Sequence, residues 1–176
     1  MKKVNIETIR EFFNIGAAGA ANALAKIIKK RVLINVPKVS ILSPDKVIEQ
    51  MGTPDKLVTA VQFDIKGGFN AGILIIFDHQ AVLNLASITL KSFDKDIRSE
   101  KTISFIKEIS NIMSSYFLNN FSKFINKPLI PSVPSYAFDM LGAVLQDLMV
   151  NYNKDGTDMF FLETIIFNDE EKITFD

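Results

Sequence analysis

The chain contains no cysteine, no tryptophan and a single histidine, His79. Without cysteine there is no disulfide framework, no thiol nucleophile and no thiolate zinc site. One histidine excludes a His-rich metal centre and leaves little material for a Ser–His–Asp triad. Neither sign of charge is in excess: 20 basic and 20 acidic residues cancel, so nothing global draws the chain to nucleic acid or to an anionic membrane. No apolar run approaches the ~20 residues that span a bilayer. Lys2 and Lys3 are followed soon by Glu7, Arg10 and Glu11, which is not the form of a signal peptide. A Gly-x-x-x-x-Gly-Lys phosphate loop, a Gly-x-Ser-x-Gly elbow and a His-Glu-x-x-His helix are also missing. The expectation is a cytoplasmic protein with no metal of its own, built as one domain over residues 1–176.

What the chain has in quantity is apolar surface: 48% of its 176 residues are hydrophobic, 15 of them Phe. That is enough to bury a sizeable core. In the absence of strong positive charge the phenylalanines read as core rather than as a platform for stacking bases. His79, after Asp78 at a helix start, reads as surface. The acidic stretches 94–96 and 155–158 lack EF-hand spacing and read as loops. The basic run 26–31 reads as a solvated helix end that complements the helix dipole.

The chain also repeats itself. Residues 11–37 laid on 108–134, an offset of 97, give nine identities in 27 ungapped positions; about two would arise by chance at average residue frequencies. Glu11, Asn14, Ile15, Asn22, Lys26, Ile28, Lys30, Val36 and Pro37 meet Glu108, Asn111, Ile112, Asn119, Lys123, Ile125, Lys127, Val133 and Pro134. Each unit, about 5–92 and 98–176, opens with a long helix, at about 5–30 and 98–126. Apolar residues recur there at three-to-four spacing: Ile6, Ile9 and Phe13 in one, Ile103, Ile106, Ile109 and Met113 in the other. Ser99 is placed to cap the second helix.

A strand at 32–36 ending at Pro37 follows the first helix, since Pro suits a strand end. Its counterpart at 128–134, with three prolines, reads as an irregular connector. Short helices are expected at 45–51 and 140–147. Paired strands come next, 57–65 with 71–77 around Gly67 and Gly68, then 159–167 with 172–175 around 168–171. A helix at 79–91 closes the first unit. The fold class is α+β: a pseudo-twofold tandem repeat with two long helices packed on an antiparallel sheet of about six strands.

Residues three apart share a helix face, so Glu11 points with Asn14, and Glu108 with Asn111. One Glu-x-x-Asn pair is surface decoration; two at the same place in two repeats are not so easily dismissed. Gly16 and Gly19 follow the first pair. A glycine inside a helix costs about 1 kcal/mol relative to Ala, so close approach by another element is expected there. Their repeat equivalents are Met113 and Tyr116, which fits a tight contact between the two long helices.

The run from Glu11 through Asn14, Gly16 and Gly19 to Val36 and Pro37 resembles the opening of CheC, and Ser104-x-x-x-Glu108-x-x-Asn111-Ile112 resembles its second half. The chain is similar over nearly its whole length to the CheC, CheX and FliY family of chemotaxis proteins, and most like CheC, which carries the motif Asp/Ser-x-x-x-Glu-x-x-Asn twice. The resemblance implies a phosphatase that hydrolyses the aspartyl phosphate of a CheY-type response regulator. Asn14 and Asn111 would position the attacking water, Glu11 and Glu108 would engage the regulator, and Glu7 and Ser104 would assist docking. It implies no cofactor beyond Mg²⁺ held by the regulator. A CheD-type deamidase is a further implied partner, and a non-catalytic module binding such a deamidase or a flagellar switch component is the alternative reading. Glu7 departs from the family's Asp or Ser whereas Ser104 fits it, so the second pair, Glu108 and Asn111, is the stronger of the two.

Overall fold

The structure, a computed structural model, describes residues 6–68, 71–90, 96–152, 159–168 and 172–175. Positions 1–5, 69–70, 91–95, 153–158, 169–171 and 176, which include the acidic stretch 155–158 and most of 94–96 and 168–171, lie outside that range. The elements are α1 (Ile6–Ile28), β1 (Val32–Leu42), α2 (Pro44–Met51), β2 (Leu57–Gly67), β3 (Ala71–Asp78), α3 (His79–Thr89), α4 (Glu100–Ile125), β4 (Leu129–Pro131), β5 (Ser135–Met140), α5 (Leu141–Tyr152), β6 (Met159–Asn168) and β7 (Lys172–Phe175). The order is helix–strand–helix–strand–strand–helix in the first half and helix–strand–strand–helix–strand–strand in the second. The helix starts follow local chemistry. Ser99 accepts the Thr102 amide at 3.3 Å and caps α4. Pro44 sits in the first turn of α2, where its missing N–H costs nothing. α4 ends on Asn126 at φ 52°, a left-handed stop.

The fold is α+β with antiparallel strands, but the described strands form two sheets rather than one. One has the order β1-β6-β7; in the other β3 lies on one edge of β2 while β4 and β5 share the opposite edge. The two halves of the chain therefore trade strands: β1 of the first pairs with β6 of the second, and β4 and β5 of the second pair with β2 of the first.

Two expectations for β1 and its counterpart fail, for related reasons. β1 does not stop at Pro37. Asn35 pairs with Ile165 and Lys38 with Glu163, so one extra residue is absorbed as a bulge at Val36 and Pro37. A bulge is the place in a strand where an imino acid is tolerated, because ladder bonding is already interrupted. In the second half the same stretch is not wholly irregular. β4 pairs Leu129, Ile130 and Pro131 with Gly67, Lys66 and Ile65, the chain breaks at 132–134, and β5 resumes the pairing from Ser135. β5 itself was not foreseen, and α5 runs on to Tyr152.

β2 is buried on both faces in its middle. Val61, Phe63 and Ile65 point into the main core, made with α1, α3 and α4. Val58 and Ala60 point the other way, into a smaller core with Val47 of α2 and Leu141, Val144 and Leu145 of α5. Phe63 and Phe77 are wholly buried, which is where a phenylalanine-rich composition goes.

Helices α1 and α4 pack side by side and run antiparallel. Phe12 lies 4.5 Å from Phe124, and Phe13 lies 5.6 Å from Phe117 and 6.0 Å from Phe121, centroid to centroid. The helices approach closest at the glycines. A Cβ on Gly16 would stand 2.9 Å from the Phe117 ring, 3.1 Å from the Tyr116 carbonyl oxygen and 3.2 Å from the Phe117 Cα. A Cβ on Gly19 would meet only the Tyr116 ring, at 2.5 Å.

That difference orders two substitutions. Gly16→Ala gains about 1 kcal/mol in helix propensity but pushes against backbone, and overpacking of that kind costs about 1–3 kcal/mol. Gly19→Ala pushes against a ring that is 37% exposed and has room to swing. Denaturant melts should show Gly16→Ala the less stable of the two; equal or reversed midpoints would refute the close helix contact.

Candidate functional site

Both Glu-x-x-Asn pairs lie on the long helices. On α1, Glu7 and Glu11 are exposed and Asn14 is half-buried; on α4, Ser104 and Glu108 are exposed and Asn111 is half-buried. Glu7, in the first turn, favours the positive end of the helix dipole and pairs with Arg10 at 2.5 Å. Both partners are substantially exposed, so water and salt screen the pair and it adds little stability. The α1 face that carries Glu11 also exposes Ile15.

The two asparagines differ sharply in what they touch. Val36 is fully buried and sits in the β1 bulge, where β6 offers its backbone no partner. A buried, unbonded N–H or C=O is costly, and Asn14 supplies both missing bonds. Its Oδ1 accepts the Val36 N–H at 2.8 Å, and its Nδ2 donates to the Val36 carbonyl at 3.1 Å. Nδ2 also donates to the Arg10 carbonyl at 3.1 Å. A carboxamide has two N–H donors, so both of Asn14's are spent on backbone. The Val36 N–H needs an acceptor, which fixes which end of the amide is oxygen.

Asn111 has no such commitment. Its own carbonyl accepts the Ser114 hydroxyl at 3.1 Å, but among the described residues its side-chain amide makes no hydrogen bond. The repeat equivalent of Val36 is Val133, which lies in the break between β4 and β5 and is 87% exposed. The Val133 carbonyl accepts the Ser132 hydroxyl at 3.0 Å. Ser132 is tied in turn to β2: its hydroxyl accepts the Asp64 N–H at 3.0 Å, and its N–H donates to the Asp64 carbonyl at 2.8 Å. In this half a serine in the break between the strands bonds the valine's carbonyl, and the helix asparagine is left over. Neither Val36 nor Ser132 was singled out in the sequence, although the Val-Pro identity in both repeats was the available signal.

Glu108 and Asn111 lie together on one face of α4, Glu108 exposed and Asn111 half-buried. A pocket of about 280 Å³ lies elsewhere, against the smaller core between β5 and α5, lined by Gln62, Ser135, Tyr136, Asp139 and Asp147. Among the described residues no three His, Cys, Asp or Glu side chains gather as a metal site, and no helix is long and apolar enough to cross a membrane. His79 is exposed, with its ring 6.5 Å from that of Phe138.

A family model described as the CheC-like family matches residues 7–41, the stretch from Glu7 through Glu11 and Asn14 to the β1 bulge. The CheY-P phosphatase CheC of Bacillus subtilis (strain 168) is 24% identical over 172 residues, 96% of this chain and 82% of that protein. Among solved structures, Thermotoga maritima FliY superposes with a TM-score of 0.75 at 17% identity, covering 99% of this chain and 90% of the other. The FliM middle domain from H. pylori superposes with 0.69 at 11% identity, covering 98% and 91%. These superpositions mark a shared fold.

Replacing Asn14 by Ala strips two buried backbone groups of their partners, each worth about 1–3 kcal/mol when left unmet. Asn14→Ala should therefore lower unfolding stability by about 2–4 kcal/mol at an unchanged denaturant slope, and Asn111→Ala by less than about 0.5 kcal/mol. Equal losses in the two variants would contradict the bonding described.

Proposed function

We propose that the chain is a member of the CheC-like family, whose model it matches over residues 7–41, and a phosphatase acting on the aspartyl phosphate of a CheY-type response regulator, with Glu108 and Asn111 as the working pair. The observation that carries this reading is the uncommitted Asn111 amide, one helical turn from the exposed Glu108 carboxylate. A convex helix face suits a macromolecular substrate better than a small one, which a pocket would enclose.

The chemistry asks little of the protein. An acyl phosphate is already activated, so the task is to hold one water in line with the bond that breaks. Asn111 offers a donor and an acceptor and does not titrate; it orients the water so that its oxygen attacks phosphorus. The P–O bond to the aspartate breaks, the carboxylate leaves with the bonding electrons, and the water's proton passes to phosphate or solvent. Glu108 pairs with a lysine beside the phosphorylated aspartate and fixes the docked orientation, while Ser104, one turn earlier on the exposed face, borders that contact. Mg²⁺ belongs to the regulator, and the setting is the cytoplasm, where such regulators work.

A second reading has an observation of its own: Asn14 has no donor left for a water. On that reading the fold is a docking module for a CheD-type deamidase or a flagellar switch component, without hydrolysis.

The decay of a phosphorylated CheY-type receiver separates the two. Wild-type protein should shorten its lifetime, and Asn111→Ala should return it towards the receiver's own rate, a loss on the order of 100-fold. Glu108→Gln should weaken docking. Receiver binding without any change in lifetime would favour the docking module.

A further inference from the structure

The two halves meet the same structural need by different means. In the first, the strand is continuous through a bulge, and the buried Val36 backbone is bonded at both N–H and C=O by Asn14. In the second, the strand is broken at 132–134, Val133 is in solvent, and Ser132 takes over its carbonyl while anchoring to Asp64 of β2. Position 132 corresponds to Asn35 in the first half, directly before the Val-Pro pair that the two halves share.

We propose that the two Glu-x-x-Asn pairs have divided their labour: Asn14 is the clamp that holds the β1 bulge, and Asn111, whose repeat-equivalent valine lies in solvent, is left free of the equivalent duty. The division follows from hydrogen-bond capacity. Asn14 has spent both N–H donors on the Arg10 and Val36 carbonyls, and breaking either bond to reach a partner's water would orphan a buried group. Asn111 faces no such cost, because the groups it would have served are met by Ser132 or by solvent. The assignment of substrate to Asn111 rests on the phosphatase reading above; the clamp does not.

Two readouts keep them apart: hydrogen exchange at the Val36 amide, and the lifetime of the phosphorylated receiver. Asn14→Ala should speed Val36 exchange tenfold or more, the factor that corresponds to about 1.4 kcal/mol, while the rate per folded molecule stays within about twofold of wild type. Asn111→Ala should do the reverse. Ser132→Ala should leave both readouts within about twofold of wild type, because the Val133 carbonyl it releases is already in solvent. If Asn14→Ala does not fold, Asn14→Leu serves, since it keeps about the same volume and loses both the acceptor for the Val36 N–H and the donors. Unchanged Val36 exchange in either Asn14 variant overturns the clamp. A rate loss in Asn14→Ala or Asn14→Leu equal to that in Asn111→Ala overturns the division. A wild-type protein that leaves the receiver's lifetime unchanged removes the phosphatase reading and leaves the clamp to stand or fall on Val36 exchange.

Discussion

The close approach of α1 to α4 is the constraint from which the remaining geometry follows. Without side chains at Gly16 and Gly19 the helices come near enough for Phe117 and Tyr116 to lie across the neighbouring backbone. The phenylalanines flanking that point, Phe12 and Phe13 on one side and Phe117, Phe121 and Phe124 on the other, then fill one shared seam. Once the seam is set, each helix has one face on the sheets and one in water, and the polar motifs fall at the margin of the exposed face.

That margin explains why a single motif can serve two ends. A half-buried amide at the edge of a helix can reach inward to a strand or outward to a visitor, and its neighbours decide which. Where β1 bulges under α1, inward wins, because two buried backbone groups stand waiting. Where the second strand breaks, those groups are in water or held by Ser132, and the inward pull is gone. A proline common to both halves, Pro37 and Pro134, marks the spot; a bulge answers it in one case and a gap in the other.

Much of this was legible in the sequence, and the boundary has physical causes. The long helices announced themselves through three-to-four apolar spacing and the Ser99 cap. Gly16 and Gly19 announced a close contact, since an interior helix glycine needs some compensation. The extension of β1 beyond Pro37 was hidden because proline usually ends a strand, and only pairing to β6, more than a hundred residues away, keeps this one going. β5 does alternate, Tyr136, Phe138 and Met140 against Ser135, Ala137 and Asp139, but it is six residues long, nowhere buried, and follows a proline-rich stretch that masks the pattern. The partner of Asn14 was out of reach too: the Val-Pro identity marked the place in both repeats, but only the bulge makes Asn14 bond backbone 22 positions away, and residue types do not show which repeat has it.

The exchange of strands between the halves also governs how the molecule is made. β1 leaves the ribosome more than a hundred residues before its ladder partner β6, which starts at Met159. Until then the strand lies chiefly on α1, and Asn14 can bond Val36 before any sheet exists, since helix and strand are neighbours in the chain. Contacts this distant in sequence slow folding and lengthen exposure of an unpaired edge. The local contact between α1 and the nascent strand is thus the natural chaperone of a sheet that cannot be completed until β6 has been made.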